Sequence, residues 1–526
     1  MNKICSAQEA VSIVEDGDVV SSVGVIGWFT PDDVLKTLGE RFEQTASPKE
    51  LTFYFPCGLG DSVEIRGMDH VAREGMMKRV VSGSYINPTN PKTGARPELM
   101  RLIQNNLVEA YSWPIGASMH WLREVARRSP GYLTRVGLGT YIDPEQTGGK
   151  MTNRATDELV KRVEFAGEDM LFYPTWKLDV AILRATTSDD LGNLSFEEDP
   201  MTSSTLALAI AVKACGGKVI AQVKRIVPRG SRRAITVTVP AALVDKIVVA
   251  PDQMMVSEVL FDATYLGIEQ KPLDQFKKLP MTPAKMIARR ASREVRQHEL
   301  TIFGFGASSD VPLVMAEDGI LTDDNIDDYW FTTEHGSFGG VVMNGWQFSC
   351  NVNPRAVIDG VSQFDLIDGG LCEFAALAFA QFDSSGTVNV SRFGKANPGA
   401  GGFIDIAQNA KRLVFTGTFT TGGLDLSYSE EQGLNIVREG KVKKFVKLAE
   451  HVTYRLQDGV GRGQQALLIT ERAVFSVTPE GLVLEEIAPG IDLEKDVLGQ
   501  MEFAPVKIRD PLTIMDSELF RDIPRG

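Results

Sequence analysis

Glu334 stands in the stretch FTTEHGSFGG (331–340), an ionisable carboxylate with Thr332 and Thr333 before it and Gly336, Gly339 and Gly340 after it. Glycine lets a backbone approach a ligand closely and leaves N–H groups free to meet an anion or a developing oxyanion. A carboxylate at the lip of such a bend therefore sets two kinds of chemistry side by side. Taken alone, each glycine turn is better read as a plain bend in a glycine-rich fold.

Other site types lack their essential residues. The sequence has no G-x-x-x-x-G-K-[ST], no G-x-S-x-G and no H-E-x-x-H, which removes the signatures of P-loop nucleotide binding, a serine-hydrolase elbow and a zincin. GFGASSD (304–310) comes near a dinucleotide fingerprint, but Ser309 stands where its third glycine belongs. His70, His120, His298, His335 and His451 are scattered singly and read as ordinary surface or core residues. The five cysteines are widely spaced without a C-x-x-C pair, so neither a disulfide framework nor a zinc knuckle is expected.

The elements that must carry the glycine turns alternate between strand and helix. SVGVIGWFTPDDVLKTLGERF (22–42) reads as an apolar strand, a glycine turn and a helix, with Thr30 as N-cap, Pro31 in the first turn, and Val34, Leu35, Leu38 and Phe42 on one face. LTIFGFGASSDVPLVMAEDGI (300–320) repeats that plan, with Ser309 or Asp310 as cap. DVAILRATTSDDLGNLSF (179–196) and FAALAFAQFDSSGTVNVSRF (374–393) both read as a strand, an Asp- and Gly-bearing turn and a second strand. Each is followed by a helix and a further strand, KVIAQVKRIV (218–227) or KRLVFTGTFTTGG (411–423). This alternation predicts two related open α/β domains with parallel or mixed sheets flanked by helices. The expected division is an N-terminal domain over 1–275, a linker with a charged helix over 276–299, and a C-terminal domain over 300–526.

A length of 526 residues is too much for one ordinary core, in keeping with that division. The formal charge of -14 argues against a nucleic-acid surface, which needs clustered cations. TLALAIAVKACGG (205–217) is too short to cross a bilayer and reads as a buried helix. The cysteine usage and the acidic residues early in MNKICSAQEAVSIVEDGD point to a reducing cytoplasm without a secretory signal.

Taken in order, SVGVIGWFTP, GLGTYIDPEQTGGKMTN (137–153), GFGASSDVP, TTEHGSFGG, NPGAGGFIDI (397–406) and TERAVFSVTPEGLVLEEIAPGIDLEKDVL (470–498) resemble the class I CoA-transferases, most closely the single-chain acetate or propionate type. The likeness runs over almost the whole chain. It implies transfer of CoA from a short- or medium-chain acyl-CoA to a free carboxylic acid, by a ping-pong route through an acyl-glutamyl anhydride and a glutamyl-CoA thioester. CoA would be substrate and covalent intermediate; no permanently bound cofactor and no metal are expected, and a homo-oligomer, tetramer or dimer, is implied.

By the resemblance Glu334 is the nucleophile; a carboxylate with its ordinary pKa of roughly 4.3 is ionised at neutral pH and needs no general base before it attacks a carbonyl. Gly402 would supply an oxyanion N–H, with Gly401 as fallback. Val23, Gly24 and Gly27 would lie near the reacting acyl group, and Arg392 and Lys395 would meet CoA phosphates. Ile115, in WPIGASMHWL (113–122), takes the place of a glutamine that many relatives carry, and a branched alkyl group cannot donate a hydrogen bond. That departure keeps an acyl-CoA hydrolase or ring-cleaving relative open as an alternative on the same fold; a silent CoA-binding or regulatory protein is the other.

Overall fold

The computed structural model describes residues 3–85 and 89–522. The first of two large sheets runs in the order Ile4–Cys5, Lys246–Val249, Lys218–Val227, Val180–Asp189, Val19–Ser22, Leu51–Phe55, Met77–Ser82 and Glu109–Ser112, every neighbouring pair parallel. Leu194–Ser195 joins Val180–Asp189 in the antiparallel sense. Val180–Asp189 is buried along its whole length, as expected of a parallel strand covered on both faces. Its one cation, Arg184, is held by Asp199 at 3.0 Å.

The second sheet has a parallel centre of Trp330–Thr332, Leu300–Phe303, Phe374–Ala378, Arg412–Thr416 and Gln465–Ile469. Antiparallel pairings extend it on both sides. The internal repeat is visible in the order of strands. Val19–Ser22, Val180–Asp189, Lys218–Val227 and Lys246–Val249 lie side by side in one sheet, as Leu300–Phe303, Phe374–Ala378, Arg412–Thr416 and Gln465–Ile469 do in the other. The α/β class with parallel and mixed sheets is as the alternation predicts.

Local details differ. The helix Asp32–Thr45 begins after Pro31, while the Thr30 hydroxyl turns back to the carbonyls of Ile26 and Trp28 rather than capping. Val34, Leu35 and Leu38 do form its buried face. In Val311–Glu317 neither expected cap forms: Asp310 accepts a bond from Asn344, and Ser309 donates to the Gly306 carbonyl. The helix Thr205–Ala214 is buried on one side only, with Leu206 and Ile210 exposed. The charged helix Pro283–Ser292 is packed into the C-terminal half, where Lys285 pairs with Glu317 at 2.6 Å and Arg289 with Asp318 at 2.8 Å. Such buried cations are tolerated because each is matched by a carboxylate. Among the described residues no helix is long and apolar enough to cross a membrane.

Candidate active site

The carboxyl ends of the parallel strands in the two sheets face one another, the place where open α/β folds form their crevices. Between them lies a cavity of about 460 Å3. Val25, Ile26, Cys57, Gly58, Ser84 and Tyr85 line it from the N-terminal half, each just past the end of a parallel strand. The C-terminal half contributes Glu334, the glycines at 401 and 402, and a run of apolar side chains. Backbone bonds stitch the halves together below it, from Tyr85 N–H to the Pro398 carbonyl at 2.7 Å and from Gly401 N–H to the Gly83 carbonyl at 2.8 Å.

Glu334 sits at the tip of a tight turn that follows Trp330–Thr332, with Thr332 paired to Phe338 and the Thr333 N–H bonded to the Ser337 carbonyl at 3.2 Å. Gly336 has φ +89°, and a Cβ there would lie 2.3 Å from the Ile358 carbonyl oxygen, so only glycine closes this turn. Gln363, fully buried on the helix Gly360–Asp368, donates to the Thr333 carbonyl at 2.9 Å and to Thr332 Oγ1 at 3.3 Å. An amide from another element therefore fixes the residue next to the carboxylate. The residue pattern around position 363 carries no motif that would have marked it beforehand.

The Glu334 side chain is 15 % exposed. Burial pushes its carboxyl up to about 7, opposed by a bond from the Gly402 N–H. The expectation of an ordinary, fully ionised carboxylate is thus corrected: withdrawal from water disfavours the charge, and a single N–H only partly offsets that. His335 adds no cation. Its ring is fully buried and burial lowers its pKa to about 3, so at 3.8 Å from Glu334 Oε1 it faces the carboxyl as a neutral group.

Gly402 begins the helix Phe403–Asn409 and lies directly beneath the carboxylate: a Cβ there would fall 2.1 Å from Glu334 Oε2. Gly401 is placed differently. Its N–H is engaged by Gly83 and its carbonyl accepts from the Ile115 N–H at 3.2 Å. Ile115 opens the helix Ile115–Arg127 and is buried against Gly83, beneath the glycine loop and outside the cavity lining. One residue on, the Gly116 N–H bonds Asp405 Oδ2 at 3.3 Å. Asp405 is fully buried, and both burial and nearby Asp368 hold its carboxyl well above the usual carboxylate range.

In the first glycine turn it is Val25 and Ile26 that face the cavity, with Val23, Gly24 and Gly27 behind them. Val23 is buried, and Gly27 abuts Asp61. Arg392 is half-buried and Lys395 exposed; both flank Phe393, which lines the cavity, without lining it themselves. The wall residues Phe305, Trp346 with Phe348, and Phe379 could not be read from the sequence, because they lie in three segments far apart in the chain that only the paired sheets bring together.

Residues 4–250 match the coenzyme A transferase family. The chain is 37% identical over 525 residues to acetate CoA-transferase YdiF of Escherichia coli K12, covering 99% of this chain and 96% of that protein. It is 38% identical over 532 residues to caffeate CoA-transferase of Acetobacterium woodii, covering 99% and 98%. The fold superposes on the crystal structure of the acyl-CoA transferase YdiF of E. coli O157:H7 in a thioester complex with CoA, with a TM-score of 0.89 at 36% identity, covering 99% of this chain and 97% of that one. Sequence likeness over the full length and a shared two-sheet architecture together establish that the chain belongs to the coenzyme A transferase family and is a CoA-transferase enzyme.

Proposed function

We propose that Glu334 is the covalent nucleophile of a ping-pong transfer of CoA from an acyl-CoA to a free carboxylic acid. The observation that carries this reading is the seat of the Glu334 carboxylate over the Gly402 N–H inside the cavity between the sheets. The carboxylate attacks the thioester carbonyl, the oxygen of which takes the negative charge, and collapse expels CoA thiolate to leave an acyl-glutamyl anhydride. The thiolate then attacks the glutamyl carbonyl and releases the original acid as carboxylate. Glu334 now holds CoA as a thioester.

An incoming carboxylate attacks that thioester and expels the thiolate, which takes the acyl group from the new anhydride and frees Glu334. Each step exchanges one acyl–oxygen or acyl–sulfur bond for another, so the thioester's free energy is retained. A nucleophile with a pKa near 7 suits this: it is substantially ionised at neutral pH, yet more basic than an ordinary carboxylate. When the glutamyl carbonyl is the one attacked, its oxyanion lies where the Gly402 N–H already points, and a fixed donor there stabilises charge without reorganisation. Gly401, with its N–H bonded to Gly83, supports this loop instead.

The kinds of substrate named for the relatives, acetate and caffeate, are both monocarboxylic acids. We assign the same general class here, with Arg392 and Lys395 beside the cavity to meet the phosphates of CoA. A cytoplasmic setting and a homo-oligomeric state belong to the same reading.

Incubation with acyl-CoA followed by borohydride trapping and peptide mass spectrometry tests the assignment. A reduced adduct on Glu334, absent in Glu334→Gln, is the expected result; an adduct elsewhere refutes it. Acid-dependent appearance of a second acyl-CoA distinguishes transfer from hydrolysis, which would release free CoA with no acceptor present.

A further inference from the structure

The cavity is walled by apolar and aromatic groups, Ile302, Phe305, Trp346, Phe348, Leu377 and Phe393 among them. No lysine, arginine or histidine side chain lines it among the described residues. Its ionisable groups besides Glu334 are Cys57 and Tyr85, and burial raises both pKa values, keeping thiol and phenol neutral. Its side-chain hydroxyls are those of Ser84, Tyr85 and Ser349. Ser84 already accepts a bond from the Gly58 N–H, Tyr85 donates to the Tyr111 carbonyl, and Ser349 Oγ is buried without a partner among the described residues. The hydroxyls of Ser84, which here only accepts, and Ser349 can satisfy a neutral oxygen, but they do not replace the hydration of a carboxylate.

Volume points the same way. The heavy atoms of an acetyl group, at about 30 Å3 each by the share a water molecule takes, fill only about 90 Å3. Room thus remains for a longer tail even with part of the space given to the pantetheine arm.

From this lining we infer that the enzyme selects monocarboxylic acids with an extended apolar or aromatic tail and rejects short dicarboxylic acids. The inference rests on the assignment of Glu334 as the reacting group. The donor tail and the acceptor tail occupy the same apolar space in turn. A second carboxylate on a short chain would be stripped of water there with no cation to meet it.

A cation does lie behind the wall. The Lys444 ammonium sits 4.1 Å from the centre of the Phe379 ring, and Phe379 lines the cavity while the lysine does not. Phe379 therefore screens a charge that would otherwise welcome a diacid.

The test uses the full-length enzyme with hexanoyl-CoA as donor and acetate, 3-phenylpropanoate, succinate and deuterated hexanoate as acceptors, the last followed by mass. Expected kcat/KM values for hexanoate and 3-phenylpropanoate are at least tenfold above acetate and at least a hundredfold above succinate. Smaller ratios overturn the inference. In Phe379→Ala the succinate-to-hexanoate ratio should rise at least tenfold; a folded variant with an unchanged ratio refutes the screening role. If that variant does not fold, the wild-type panel still decides. Failure of the underlying assignment looks different: exchange then survives in Glu334→Gln with any acid, whereas a wrong substrate class leaves an exchange that needs Glu334 but accepts succinate.

Discussion

Replacing Gly402 by alanine separates the position of the reacting carboxylate from the stability of the fold. The backbone at Gly402 has φ -85° and ψ 4°, which alanine adopts without strain, so the change adds only a methyl group. That methyl would start 2.1 Å from Glu334 Oε2 and 3.3 Å from Phe364 Cζ. Carbon and oxygen settle at roughly 3.5 Å, so the flexible end of Glu334 must move by more than 1 Å. A displacement of about 1 Å costs on the order of a hundredfold in rate when the reacting atoms must meet in a fixed geometry. We therefore expect kcat/KM for acyl exchange to fall roughly a hundredfold in Gly402→Ala, with a melting temperature close to wild type.

Gly401→Ala is the control. Its φ of +61° makes alanine cost about 1 kcal/mol, but the added carbon lies 3.8 Å from its nearest neighbour, Ile115 Cδ1. This variant should lose stability and keep exchange within a few-fold. The assay is chromatographic detection of new acyl-CoA, paired with thermal unfolding. Wild-type rates in Gly402→Ala, or a hundredfold loss in Gly401→Ala with none in Gly402→Ala, would show that the carboxylate is not where the chemistry occurs.

Further outcomes follow from the same geometry. The Glu334 pKa is about 7 in the folded protein and near 4.5 unfolded, so the native state binds the extra proton between these values and this side chain's contribution to stability falls as pH rises from about 4.5 to 7. The span corresponds to about 3 kcal/mol, so Glu334→Gln, while inactive, should unfold at a higher temperature than wild type at pH 8, with the gap closing toward pH 4. Equal differences at both pH values would contradict the buried carboxylate. Gln363→Leu removes the amide that holds the Thr333 carbonyl and should lower kcat about tenfold with little change in KM for acyl-CoA; unaltered kcat in steady-state kinetics would mean that the turn holds itself.

Much of this architecture is legible in the chain because it is written locally. The strand, glycine-turn and helix plan at 22–42 and 300–320 fixes neighbouring residues by period and turn chemistry, and each copy forms one βα unit at the centre of its sheet. The nucleophile stands out only through the resemblance, since a lone glutamate beside glycines is a common thing. What escaped were contacts between segments far apart in sequence. Gln363 reaches Thr333 across 30 positions, Ile115 meets Gly401 across the two halves, and the aromatic wall draws on separate segments. Caps failed for a related reason: the Thr30 and Ser309 hydroxyls found carbonyl partners in their own turns, which compete directly with the helix end. The raised Glu334 pKa has no local signature, because burial is a property of the assembled seam.

The seam itself has a consequence for how the enzyme keeps its integrity. Because the walls around Glu334 come from both sheets, neither half alone could hold a thioester in place; two separate polypeptides would have to find each other before any turnover. Covalent continuity through residues 276–299 replaces that encounter with an intramolecular one. Each chain thereby carries both walls of its own reaction chamber, however far the solution is diluted.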